Sequence, residues 1–204
     1  MKRPYPKLFA KDFKPHPDDD EAVKKLAEKY KHTRFKLNPK GRVWSVSQTR
    51  LSDLDCSILL RLPELIELNM GHIFGNTYSS FTHVGFAKLS THPKIKAFLD
   101  CYNPMLGDEV AIVVGSSTRF RWVHLGGCGI TNNGVRDICK AKQLLMLSIF
   151  NSEITDDVVQ NLSELINLRH LNIRETKISR NSAMKLQKHL PRCKIDILLP
   201  KYAV

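Results

Sequence analysis

Apolar residues recur along the C-terminal half of this chain at a constant spacing of 24. Leu99, Val123, Leu147, Leu171 and Ile195 form one column, and Cys101, Leu125, Ile149, Ile173 and Ile197 form a second, two residues further on. Leu106, Ile130, Ile154 and Ile178 make a third, and Val114, Ile138, Leu162 and Leu186 a fourth. Upstream, Trp44 and Val46 stand 24 residues before Leu68 and Met70, while Leu51 and Leu59 extend the third and fourth columns. From Leu68 to Leu99 the interval is 31, which places seven extra residues near GHIFGNTYSSF. A fixed period of this length is the signature of a solenoid, here with about six repeats and a closing strand.

Each unit reads as a short strand with alternating inward and outward residues, then a turn, then a short helix. Thr131, Thr155 and Ser179 stand where a helix N-cap is needed, and Asp156 and Asp157 put acid in the first helical turn of one repeat. No single repeat can bury its own apolar face, so stacking must supply the core, with strands about 4.8 Å apart. The expected architecture is an α/β solenoid with a parallel sheet on its concave side and short helices on its convex side. Residues 1–42 are expected to form a basic arm and a capping helix over DDDEAVKKLAEKYK, residues 43–197 the repeats, and residues 198–204 a tail.

The stretch VHLGGCGITNNGV, from Val123 to Val135, resembles the L-x-L-x-x-C-x-x-I-T-x-x-G-L pattern of the cysteine-containing leucine-rich repeats, found beside F-boxes and in stand-alone bacterial proteins. Valine stands for leucine at Val123 and Val135, and one residue rather than two separates Cys128 from Ile130. LPRCKIDI, from Leu190 to Ile197, resembles the usual finish of such arrays. The buried Cys or Asn of that pattern is met at Cys128, the equivalent column otherwise holding Pro104, Ser152 and Thr176. The first 42 residues have no room for an F-box-like bundle, which argues against a ubiquitin-ligase adaptor. The chain is also similar, in size and in its basic N-terminal region, to mitochondrial assembly factors related to the ATP synthase s subunit. Both resemblances imply a scaffold, and a scaffold does not fix a function.

Between the inward columns lie the residues expected on the concave face: Phe98, Trp122, Met146 and His170 in one row, and Tyr102, Phe150 and Arg174 in another with Gly126. A row of Asp100, His124, Ser148 and Asn172 lies between them. Phe98, Tyr102, Trp122, His124, Met146, Phe150, His170 and Arg174 are therefore the candidate partner-binding residues, since contiguous aromatic surface beside arginine is what interfaces favour. Asp100, His124 and Ser148 have the composition of a catalytic triad, but no strained nucleophile turn or oxyanion-binding helix terminus accompanies them, so no catalytic residue is assigned.

The net charge of +12 is uneven. Residues 1–42 carry 13 Lys/Arg against 6 Asp/Glu, residues 168–204 carry 9 against 2, and the middle carries 10 against 12. Basic ends steer acidic proteins and nucleic acids alike. A protein partner of unknown identity is expected, with nucleic acid as an alternative held by the basic termini in an RNA-, ribosome- or mitochondrial-complex component. The five cysteines show no CxxC pair and the eight histidines no HExxH, so neither a metal nor a cofactor is expected. With no apolar run of membrane-spanning length and no secretory signal, the expected setting is intracellular: the cytoplasm, with the mitochondrion as alternative.

Overall fold

In a computed structural model, residues 14–71 and 80–197 are described. The N-terminal arm up to Phe13, most of the long coil (72–79) and the tail (198–204) lie outside the described residues. Eight strands form one sheet in chain order: β1 (Arg34–Leu37), β2 (Val43–Ser47), β3 (Glu67–Asn69), β4 (Ala97–Cys101), β5 (Trp122–Gly126), β6 (Met146–Ser148), β7 (His170–Asn172) and β8 (Lys194–Asp196). From β2 onward every pairing is parallel. Returning along the other side are α2 (Cys56–Leu59), α3 (His83–Ser90), α4 (Gly107–Ser116), α5 (Asn132–Ile138), α6 (Val159–Ser163) and α7 (Arg180–His189), after the N-terminal α1 (Pro17–Lys29).

The inward column differs from the expected one at two rungs. Val46, Leu68, Phe98, Val123, Leu147, Leu171 and Ile195 pair successively across the sheet. Phe98, expected to face outward, is fully buried, whereas Leu99 turns out beside His124 and is half-buried. A shift of one residue exchanges the two faces of a strand. The third column keeps its spacing of 24 from Leu106 to Ile130, so the extra residue of this coil lies in the turn at Pro104–Met105. Aromatic packing holds the register: Phe98 meets Phe86 edge-on at 4.4 Å and stacks with Phe81 at 5.9 Å, and Phe86 stacks with Phe120 at 5.0 Å.

At the other corrected rung, Val46 rather than Trp44 pairs with Leu68. The β1–β2 ladder shifts register at Lys36/Leu37, where Leu37 pairs with Val43 and Trp44 is the additional residue. The indole N–H of Trp44 donates to the Leu37 carbonyl, and the Lys36 ammonium lies 5.1 Å from its ring centroid. β1, which the apolar columns gave no reason to expect, runs antiparallel and covers the edge of β2 that another parallel strand would otherwise extend.

α1 covers the open end of the core with Ala22, Val23 and Leu26. It is tied down by buried carboxylates. Asp19 accepts from the Val43 N–H and meets Arg42, while Asp55 accepts from Lys29 at 2.7 Å and from the Tyr30 hydroxyl at 2.6 Å.

On the convex side, polar groups link one coil to the next. Thr82, Thr131, Thr155 and Ser179 each cap a helical turn through the side-chain oxygen. Each cap is in turn held by the preceding coil. The Asp53, Asp108 and Asp156 carboxylates accept from both the N–H and the hydroxyl of Thr82, Thr131 and Ser179, while Asn132 accepts from the Thr155 N–H through Oδ1 and donates to its hydroxyl through Nδ2. Gly134 is required by this bridge, because a Cβ there would stand 2.1 Å from Asp108 Oδ1.

The register predicts that Phe98→Ala lowers the unfolding free energy in urea by about 3–5 kcal/mol through the cavity it leaves. Leu99→Ala should cost clearly less. The reverse order would place Leu99 in the core after all.

Candidate functional site: the concave face

With the register settled, the outward rows follow from the alternation of the strands. The first holds Ala97, Trp122, Met146, His170 and Lys194; the second Leu99, His124, Ser148, Asn172 and Asp196. At the C-terminal ends of the strands Cys101 lies beside Gly126, and Phe150 and Arg174 continue that level. Trp122, Met146 and His170 stand together, half-buried, on adjacent strands, and Phe98 is replaced in their row by Ala97. Tyr102 lies one residue beyond its expected row, at a corner where the backbone of every coil from β4 to β7 turns left-handed: φ is 56° at Tyr102, 67° at Gly127, 49° at Asn151 and 55° at Glu175.

This corner gathers an aromatic cluster. Phe150 lies over Gly126, so closely that a Cβ there would come within 2.1 Å of its ring, and Tyr102 lies over Gly127 in the same manner. Phe150 meets Tyr102 edge-on at 5.6 Å and His124 edge-on at 5.5 Å. Two adjacent glycines thus form the floor on which the rings rest. Tyr102 remains 49% exposed, and Arg174 beyond Phe150 is exposed as well.

The row of triad composition does not form. Asp100 pairs with Leu125 and points into the core, where Asn103 Nδ2 and the Cys101 N–H donate to its carboxyl group. His124 Nδ1 instead donates to the Asp100 main-chain carbonyl at 3.1 Å. Burial lowers the His124 pKa, against the bond to the Asp100 carbonyl, which raises it. The Ser148 hydroxyl is buried and without a hydrogen-bond partner among the described residues. At the far end, His170 Nε2 lies 2.6 Å from the Asp196 carboxylate, which lowers the pKa of that acid. His170 and Asp196 are diagonal neighbours across β7 and β8, where His170 itself pairs with Lys194, so the period of 24 alone does not bring them together.

The same one-residue shift alters the buried polar ladder. Its members are Asn103, Cys128, Ser152 and Thr176, not Pro104 in the first place. Asn103 donates to the Phe81 carbonyl, and Ser152 and Thr176 donate to the carbonyls of Ile149 and Ile173, satisfying main-chain oxygens at the ends of the strands. Burial pushes the thiol of Cys128 up as well, along with those of Cys56 and Cys139 to about 12, so these sulfurs stay protonated and unreactive. Among the described residues no group of three or more His, Cys, Asp or Glu side chains is placed to hold a metal ion. No helix among them is long and apolar enough to cross a membrane.

No protein-family model and no curated protein sequence matches the chain. Solved structures do. An internalin (inlF) of Listeria monocytogenes aligns with 77% of this chain and 47% of its own length at a TM-score of 0.51 and 14% identity. Internalin C2 from the same organism aligns over 91% of this chain and 95% of its own, with TM-score 0.44 and 14% identity. A leucine-rich-repeat protein of Leptospira interrogans covers 68% of this chain, which spans 38% of that protein, with TM-score 0.43 and 20% identity. The chain has the leucine-rich-repeat fold, a parallel sheet and its return helices wound into one solenoid.

Asp100 makes stability depend on pH. Desolvation by burial raises its pKa from 3.8 to about 7, against the bonds from Asn103 and Cys101 that favour the ionised form. A carboxyl group whose pKa is raised by folding stabilises the fold when protonated, and that contribution is lost as pH rises from about 4 to about 7. Asp100→Asn should flatten the fall in urea-unfolding free energy across this range. An equally steep fall in the variant would show that another group titrates.

Proposed function

We propose that this protein is a non-catalytic protein-binding scaffold or assembly subunit, with the concave face as its contact surface. The observation that carries the reading is the continuity of half-exposed aromatic and thioether surface from Trp122 and Met146 to His124, Phe150 and Tyr102, on a face formed by consecutive strands. The Trp122 indole N–H makes no hydrogen bond among the described residues. A tryptophan with one wet polar tip and a large apolar body is suited to an interface, where few such residues supply most of the energy. Rows that accept different side chains without disturbing the inward column allow such a face to be shaped independently of the fold.

The test is Trp122→Ala in the full chain, with affinity for a captured protein and melting temperature measured on the same preparation. Binding should weaken by about 2 kcal/mol or more while the melt stays nearly unchanged. Gly126→Ala supplies a second variant, because its Cβ must displace the Phe150 ring. Unaltered affinity in both variants, or a collapse of stability in Trp122→Ala, would remove the aromatic surface as the site. In the alternative reading, an RNA-, ribosome- or mitochondrial-complex component is held by the basic termini, and affinity then falls steeply with added salt.

A further inference from the structure

Charge is sorted between the two sides of the solenoid. Residues 43–167 contain 12 Asp/Glu against 10 Lys/Arg, yet only Glu67 and Asp100 of these acids lie in strands. Asp100 is buried, and Glu67 is engaged by Lys36 and by the Ser45 hydroxyl. The remaining acids lie in turns and helices, where Asp53 and Asp108 hold the caps of neighbouring coils and Glu64, Asp137 and Glu164 meet lysines. From β4 to β7 none of the outward positions of the strands carries an acid.

Cations border this acid-free face. Lys96, Arg121 and Arg169 immediately precede β4, β5 and β7, and the main chain joins them through Arg121 N–H to Lys96 O and successive bonds by way of Leu145. Lys96 and Arg169 are exposed and Arg121 half-exposed. None of the three meets a carboxylate among the described residues; Arg121 and Arg169 donate only to carbonyls of their own turns. Arg174 is exposed on the opposite border. A count along the chain conceals this, because residues 43–167 taken together carry slightly more acids than bases.

We infer that the concave face takes an extended acidic peptide segment of a protein partner, its carboxylates along Lys96, Arg121 and Arg169 and an apolar side chain against Trp122 and Met146. This rests on the concave-face reading above and specifies its partner. An extended chain presents alternate side chains on one side every ~6.6–6.8 Å, while the strands beneath are about 4.8 Å apart, so long basic side chains at the residues just before β4, β5 and β7 have the length to take up the difference. Guanidinium groups favour carboxylates through paired N–H donors. A continuous phosphate backbone suits the face less well. Ala97, Leu99 and Met146 are apolar, and Asp196 and Glu175 flank its β7–β8 end.

The test uses the full chain and fluorescence anisotropy with four labelled probes: a nonapeptide of alternating Glu and Leu, its Lys/Leu and Glu/Ser counterparts, and an oligouridylate. The Glu/Leu peptide should bind at least tenfold more tightly than any of the others. Lys96→Glu should weaken it at least fivefold without moving the melting temperature, since that ammonium makes no bond among the described residues. Lys96→Glu combined with Arg169→Glu should weaken it further; if the double variant fails to fold, Lys96→Glu alone decides. Equal binding of the Lys/Leu peptide, indifference to Lys96→Glu, or tighter binding of the oligouridylate would overturn the inference. If Trp122→Ala weakens the Glu/Leu peptide while charge reversal does not, the acidic specificity falls and the concave-face reading stands. If neither matters, both fall.

Discussion

The stacking of one inward side chain per coil, from Val46 to Ile195, is the constraint on which the rest of this structure depends. No coil has enough apolar surface to fold alone, so each depends on the coils before and after it for burial. Once the inward residue of a strand is chosen, alternation fixes its neighbours on the other face. The choice of Phe98 over Leu99 therefore sends Asp100 into the core, brings Asn103 onto the buried polar ladder and sets Tyr102 on the left-handed corner where it meets Phe150.

The two sides of the solenoid use polar groups differently. On the convex side, carboxylates and hydroxyls satisfy helix termini and connect adjacent coils, and so have little freedom to vary. On the concave side the main chain is already satisfied by the sheet, and most outward side chains have no structural duty. His124 is an exception, anchored through Nδ1 to the Asp100 carbonyl, and the His170–Asp196 pair is another. A face so composed is available for recognition because the fold asks little of it.

Much of this was legible in the sequence wherever the period was regular. From Val123 to Leu171 the columns, the caps at Thr131, Thr155 and Ser179, and the outward placement of Trp122, Met146 and His170 all follow from a spacing of 24. The irregular coils depart from that spacing. Phe98 and Leu99 are both apolar, and extrapolating the period selected Leu99, because an added residue at Pro104–Met105 leaves no mark in the third column. Trp44 was misassigned for a related reason: an antiparallel strand and a bulge precede the first regular rung, and neither carries a periodic signal. The basic border does not show in net charge per segment, which averages over two sides that the fold separates.

Among the described residues, the side-chain links to helix caps along the convex side are interrupted once. Asp53 bridges to Thr82, and the series resumes at Asp108, but α4 begins after Leu106 without a side-chain cap. At that point adjacent coils are joined by Phe81, Phe86, Phe98 and Phe120, together with the bond from Asn103 to the Phe81 carbonyl. Ring volume at this junction therefore takes over part of what the cap-holding side chains do elsewhere, and a truncation there would loosen one coil from the next as well as opening a cavity.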